Sequence, residues 1–252
     1  MSATPDLIQL AVVDVDGCLT PGEARDWNWQ ALQAICKLNR KARRGEGLPA
    51  VTLCTGRQEP YVEVLMQAIG AHVPGIFENG CGLYFPETYR FSLHPSITAS
   101  TREALGDLKA AVQRQVVSSG MGYFQPGKEA SLTLYPLPGT PVRELLRAVR
   151  HARSPYDSLF EVQASVTCVD VTPIDIDKGA GLRWLSSETG ISIARMGGIG
   201  DSPSDLPFLR IVGLSAAPTN AAPDVRAAVG HVSLLEDGDA VVDILQRWST
   251  PG

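Results

Sequence analysis

At 252 residues the chain has the length of one large domain or two modest ones, and its 44% apolar and 19% charged residues exclude whole-chain disorder, because they suffice to bury a sizeable core. Against 22 Lys and Arg stand 27 Asp and Glu, a net charge of -5. That balance argues against a nucleic-acid partner, since phosphate backbones are held by clustered Lys and Arg.

Residues 7–13 (LIQLAVV) form a short, mostly apolar run that ends in Asp14-Val15-Asp16-Gly17. Such a run reads as a strand buried on both faces that delivers carboxylates at its C-terminal end. A helix capped by Asp26 and running to about Lys41 follows, with Trp29, Leu32, Ile35, Cys36 and Leu38 at helical spacing, and Gly45 and Gly47 stop it. Residues 50–54 (AVTLC) are a second strand, leading into Thr55-Gly56-Arg57 and a helix opened by Pro60 and closed by Gly70. A third strand over 75–78 leads into Asn79-Gly80. Strand and helix in alternation predict a parallel sheet with crossover helices, which places ligands at the carboxyl ends of its strands.

The pattern changes after about Phe85. A helix over 101–117, a strand over 130–135, a helix introduced by Thr140-Pro141 and strands over 159–164 and 166–171 suggest an α+β unit with an antiparallel sheet. It reads as an insertion of residues 86–172 into a core of residues 1–85 and 173–252, because the first pattern then resumes. A helix over 178–188 closes at Gly190, a strand over 193–199 ends in Gly200-Asp201, and a short helix from Pro203, a strand near 211–215 and a helix over 239–248 complete the chain.

Four groups thus sit at strand ends or helix starts: Asp14 with Asp16, Thr55, Lys178, and Asp201 with Asp205. Each has an ordinary explanation alone: an Asp that caps a turn, a Thr that caps a helix, a solvated first-turn Lys, a GDSPSD turn with capping acids. Together they suit displacement at phosphorus. A carboxylate can attack a phosphoryl group if the repulsion between anions is neutralised. Acids from separate strands can hold Mg²⁺ for that purpose, a hydroxyl and a lysine can bind the phosphoryl oxygens, and a second acid two residues from the nucleophile can protonate the leaving alkoxide and later deprotonate water.

The segments DVDGCLT (14–20), Thr55-Gly56-Arg57, Lys178-Gly179 and GDSPSD (200–205) resemble the four motifs of the haloacid dehalogenase-like phosphatase superfamily. The insertion between the second and third motifs, Asn79-Gly80 and Asn220 resemble its type-IIB subfamily. The resemblance implies a doubly wound, mostly parallel, Rossmann-like α/β core with an inserted α+β cap of the C2B type. It implies Asp14 as nucleophile and Mg²⁺ ligand, and Asp16 as general acid/base that also offers its backbone carbonyl to the metal. Thr55, with Gly56, Arg57 and Asn79 near it, would bind substrate, Lys178 would steady the phosphoryl group, Asp201 would ligate Mg²⁺, and Asp205 would orient Lys178 or a metal-bound water. Ser204 and Pro203 depart from the usual last motif, where many relatives carry Asn in place of Ser204. Within the insertion, Gly127-Lys128-Glu129-Ala130-Ser131 is similar to an Arg-Glu-Ala-Ser segment of archaeal-type phosphoglycolate phosphatases, as is Phe77-Glu78-Asn79-Gly80-Cys81 to their Phe-Glu-Asn-Gly-Gly segment; this makes Lys128, Glu129 and Ser131 substrate-binding candidates. Lys128 replaces an arginine and with it the capacity for bidentate carboxylate binding.

The partner implied is a small phosphate ester. The competing readings are a phosphosugar mutase of the same superfamily and a non-enzymatic phospho-receiver, which also joins acids, a Thr and a Lys on a parallel sheet but is about half as long. Five cysteines, Cys18, Cys36, Cys54, Cys81 and Cys168, show no metal-ligand spacing and suit a reducing cytoplasm; Cys18 and Cys54, beside motif residues, suggest sensitivity to thiol reagents. Trp27 and Trp29 read as packing residues, and the four histidines lie too scattered for metal ligation. No run approaches the ~18 apolar residues of a membrane helix. The start MSATPDLIQLAVVDVDG lacks a basic segment followed by an apolar core, so the mature chain is expected to begin near Met1.

Overall fold

The computed structural model describes residues 8–249; Leu7, the first residue of the opening predicted strand, and Met1 lie outside them. The chain divides into two compact units, one of residues up to Ser92 and from Asp177 onward, the other Leu93–Ile176.

In the first unit the elements run β1 (Leu10–Val13), α1 (Trp29–Arg43), β2 (Ala50–Leu53), α2 (Glu59–Ala68), β3 (Gly75–Phe77), β4 (Gly82–Phe85) and β5 (Arg90–Leu93). The second unit holds α3 (Ala99–Val112), β6 (Gly122–Phe124), β7 (Leu132–Pro136), α4 (Val142–Arg153), β8 (Phe160–Ala164) and β9 (Val169–Pro173). The first then resumes with α5 (Lys178–Thr189), β10 (Met196–Ile199), α6 (Leu206–Leu209), β11 (Leu214–Ala217), α7 (Pro223–Ala228), β12 (His231–Val232) and α8 (Asp237–Ser249).

The main sheet of the first unit has the order β12-β11-β10-β1-β2, with every pair parallel. Every residue of β1, β2 and β10 is buried, as an apolar run covered on both faces requires. Successive strands move outward from β1 in opposite directions, β2 to one side and β10 to the other. The resulting crevice at the carboxyl ends of β1 and β10 is where open α/β sheets bind ligands. Buried Asn39 on α1 ties the layers together: its amide donates to the carbonyls of Val51 and Ile69, and its carbonyl accepts from Val51 N–H.

Several elements differ from the sequence reading. Asn28, not Asp26, caps α1, its side chain accepting from Ala31 N–H at 3.1 Å. The third strand joins the parallel ladder only through the single parallel bridge Cys54–Ile76 just past β2, and it pairs antiparallel with β4. The tight turn over Glu78–Gly80 folds the chain straight back into β4. Residues 193–195 form a helical turn before β10, and β11 starts at Leu214, later than expected. The helix expected to reach Val117 changes at Gln113 from α to a wider π turn. Strands β4, β5, β6 and β12 and helix α7 carry too few residues for periodicity to reveal them.

The second unit is a four-stranded sheet, β6-β7-β9-β8, antiparallel throughout. Leu132, Leu134, Phe160, Val162, Val169 and Val171 form one core with Leu105 and Leu108 of α3 and Leu145 and Val149 of α4. Burial alternates along β8 and β9, as expected of a sheet with helices on one face.

Candidate active site

Asp14 follows β1 directly, and its N–H still donates to Ile199 O of β10 at 2.9 Å, so its carboxyl group emerges where the ladder ends. The next six residues fold into a compact loop closed by Gly17 N–H to Thr20 O and Thr20 N–H to Val15 O. Gly17 has φ +82°, and a Cβ there would lie 2.6 Å from Asp201 Oδ2; only glycine lets the loop approach the acid that follows β10. Asn220 secures the same loop, donating to Gly17 O at 2.8 Å and exchanging bonds with Asp237.

Lys178 is the first residue of α5, which Asp177 caps by accepting from Ala180 N–H. Its side chain is only 3% exposed, which removes the reading of a solvated first-turn lysine. Its ammonium donates to Asp14 Oδ1 at 2.7 Å and to Asp205 Oδ1 at 2.6 Å. The other oxygen of Asp205 accepts from the N–H groups of Asp201 and Ser202 and from the Ser202 hydroxyl, so both carboxylate oxygens of Asp205 are held by donors. Asp201 Oδ1 is different: it is buried and no donor reaches it.

Carboxylate oxygens of Asp14, Asp201 and Asp205 all lie within 4.8 Å of one another. Three acids therefore gather around one ammonium, which bonds Asp14 and Asp205. Burial, then Asp205, pushes the Asp14 carboxyl up to about 7, and burial, then Asp14, pushes Asp201 up to about 9. Burial pulls Lys178 down, but Asp14 and Asp205 outweigh it and hold the ammonium well above the ordinary lysine range. A hard divalent cation suits this arrangement: the donors are all oxygen, the charge is in excess, and Asp201 Oδ1 has no other partner.

Thr55, 1% exposed, stands two residues beyond β2; its Oγ accepts from Arg57 N–H, which leaves the hydroxyl proton for a ligand oxygen. The 55–57 turn is clipped from behind, Glu78 N–H donating to Arg57 O at 2.9 Å and Asn79 N–H to Thr55 O at 3.0 Å. The Asn79 amide packs against Gly56, where a Cβ would meet it at 2.9 Å. The clip is strained: Glu78, Asn79 and Gly80 all have positive φ (48°, 56° and 104°). A Cβ on Gly80 would sit 2.1 Å from Asp177 O, so this glycine sets how closely the clip approaches the start of α5. Asp16 pairs with Arg57 through two bonds, Nε to Oδ2 at 2.7 Å and Nη2 to Oδ1 at 2.6 Å.

The structure thus brings Asp14, Lys178, Asp201 and Asp205 into one cluster and Asp16, Arg57, Thr55, Gly56 and Asn79 into linked turns. In the second unit, Lys128 donates to Thr133 Oγ and pairs with Asp170 at 3.7 Å; Ser131 is buried and Glu129 exposed. Ser204 is exposed and bonds the Ser202 hydroxyl. Two expectations are corrected. Trp29 is 61% exposed, its ring tilted at 55° to that of Trp27, so it is no core residue. Cys18 and Cys54 are fully buried and burial pushes both thiols up, which disfavours the reactive thiolate and argues against the expected thiol-reagent sensitivity. The sequence reading missed Ser202, for which the capping spacing Ser202-x-x-Asp205 was the available signal, and Tyr61, whose ring lies under the Arg57 guanidinium.

Residues 147–245 match the family model described as haloacid dehalogenase-like hydrolase. The phosphoglycolate phosphatase of Staphylothermus marinus is 26% identical over 243 residues, 96% of this chain and 98% of that protein. A solved Thermoplasma acidophilum structure superposes with a TM-score of 0.74 at 22% identity, covering 96% of this chain and 98% of the other. Another, described as a HAD subclass IIB sugar phosphatase, gives 0.68 at 18% identity, covering 95% and 98%. The resemblance drawn from the four motifs is borne out, and the fold is the one it implied. The family match over residues 147–245 and the phosphatase-named relatives along nearly the whole chain support a haloacid dehalogenase-like phosphatase. Among the described residues, no helix is long and apolar enough to cross a membrane.

Proposed function

We propose that the protein is a Mg²⁺-dependent phosphomonoesterase that hydrolyses a small phosphorylated metabolite, phosphoglycolate or a sugar phosphate, through an aspartyl-phosphate on Asp14. Residues 1–85 and 173–252 form its catalytic core and residues 86–172 its cap. The observation that carries this reading is the Lys178 ammonium bonded to both Asp14 and Asp205, beside an Asp201 oxygen that has no donor.

Asp14 attacks phosphorus as the ester P–O bond breaks, and Asp16 gives its proton to the departing alkoxide. Water then attacks the aspartyl-phosphate, Asp16 takes the water's proton, and phosphate leaves with Asp14 restored. Lys178 fixes the orientation of Asp14 and faces the phosphoryl group with positive charge; the Thr55 hydroxyl donates to a phosphoryl oxygen. Mg²⁺, held by Asp14, Asp201 and the Asp16 carbonyl, supplies the charge that offsets repulsion between the carboxylates and the phosphoryl group. Asp205 is a positioning group, since donors already occupy both of its oxygens. Asn79 shapes the phosphoryl-binding turn, and Lys128, Glu129 and Ser131 form the segment that contacts the rest of the substrate. The names of the archaeal relatives support phosphoglycolate, and the solved sugar phosphatase supports a sugar phosphate.

Phosphate release from phosphoglycolate and a panel of sugar phosphates, with Mg²⁺, tests the reading. Turnover that yields free phosphate supports it; transfer of phosphate between hydroxyls of one sugar without release indicates the mutase instead, and stable phosphorylation without turnover the receiver.

A further inference from the structure

We infer that Arg57 is a positioning residue for Asp16, dedicated to the leaving-group side of the reaction and not to phosphate binding. The inference rests on the proposed role of Asp16 as proton donor and acceptor. An arginine that grips a phosphate bidentately uses the parallel N–H groups of its Nε and Nη2 edge. Here that edge is engaged: Nε and Nη2 each donate to one oxygen of Asp16, at 2.7 and 2.6 Å.

The pair is sheltered, with the Arg57 side chain 14% and that of Asp16 28% exposed, so the two bonds fix a geometry that a surface ion pair would not. Arg57 is itself held on every side. Its N–H donates to Thr55 Oγ and its carbonyl accepts from Glu78 N–H. Its guanidinium lies over the Tyr61 ring at 4.8 Å, and Tyr61 packs edge-on to Trp27. Glu23, 40% exposed, is the other acid nearby, at 4.0 Å. The guanidinium plane is therefore set by the fold before substrate arrives, and through it the plane of the Asp16 carboxylate. When Asp16 passes its proton to the ester oxygen, the carboxylate that forms already faces a fixed cation.

The test compares kcat/KM, which reports the steps up to leaving-group departure and leaves out the hydrolysis of the aspartyl-phosphate that both esters share, for an alkyl phosphate (phosphoglycolate) and for p-nitrophenyl phosphate, whose leaving group departs without a proton, in the wild type, Arg57→Ala, Arg57→Lys and Asp16→Asn. Arg57→Ala is expected to lose roughly 100-fold in kcat/KM on the alkyl ester and no more than about threefold on the aryl ester, as mispositioning an acid would require. Arg57→Lys keeps the charge but not the fork, so it is expected to recover only part of the alkyl rate. Equal losses in kcat/KM on both esters in Arg57→Ala would overturn the inference, because they mark phosphate binding or a folding defect. Asp16→Asn separates the two levels: if it too loses both esters equally, its proposed role falls, whereas selective loss in Asp16→Asn without selective loss in Arg57→Ala defeats only the inference about Arg57.

Discussion

The two units bury polar groups in opposite ways. The first unit's parallel sheet, covered on both faces, has no room for charge along its strands, and its acids collect where β1 and β10 end. Buried Asp14 and Asp205 there share one lysine, half-buried Asp201 lies beside them, and the excess of acid suits a cation. The second unit's antiparallel sheet alternates, so Lys128, Thr133 and Asp170 satisfy one another within it. A charge network that is balanced holds its own groups in place; one left in deficit also draws in a cation.

The deepest way to break this contrast is Asp14→Asn, which keeps shape and removes the proposed nucleophile. Phosphate release should fall on the order of 10⁴-fold or more with the circular dichroism spectrum unchanged; retained turnover would remove Asp14 from the mechanism. Lys178→Met should abolish activity as well and, by leaving Asp14 and Asp205 buried without a cation, cost about 3–5 kcal/mol in denaturant unfolding. Phe160→Ala, in the fully buried core of the second unit, should cost a similar ~3–5 kcal/mol, there through a cavity and not through charge.

Mg²⁺ sharpens the comparison without mutation. At 100 times its dissociation constant it should stabilise by about 2.7 kcal/mol in thermal melts, an effect that EDTA reverses and Asp201→Asn weakens. The sign of its pH dependence follows from the acids. Asp14 and Asp201 are raised from an ordinary 3.8 to about 7 and about 9, so the metal-free fold binds more protons than the unfolded chain in that window. Their stabilising contribution is complete below pH 3.8 and is lost as pH climbs through those values, so the gain from Mg²⁺ should grow from acid to pH 9. The smallest effect belongs to Lys128→Met: a rise in KM for phosphoglycolate of roughly five- to tenfold, about 1–1.4 kcal/mol, with kcat held; an unchanged KM would take Lys128 out of substrate recognition.

The sequence by itself determined that short apolar runs become strands buried on both faces, and that Asp14, Thr55 and Asp201 emerge at the ends of parallel ones. A doubly covered strand must be apolar and must end where polar residues begin, so composition alone marks it. The start of α5 at Lys178 and its close at Gly190 were legible for a similarly local reason, since capping depends on neighbours. Only the tertiary structure decided what lies far apart in the chain. Asp16 and Arg57, 41 residues apart, pair because β1 and β2 are adjacent. Asn39 closes three bonds to backbone groups that no local pattern names. Lys178 could have been solvated; it is buried because the strand order sets α5 beside both Asp14 and Asp205. Spacing along a chain fixes which residues share a strand or a turn, but whether a charge meets water or another charge depends on packing, and there the three acids acquire the unbalanced charge that suits them to phosphate chemistry.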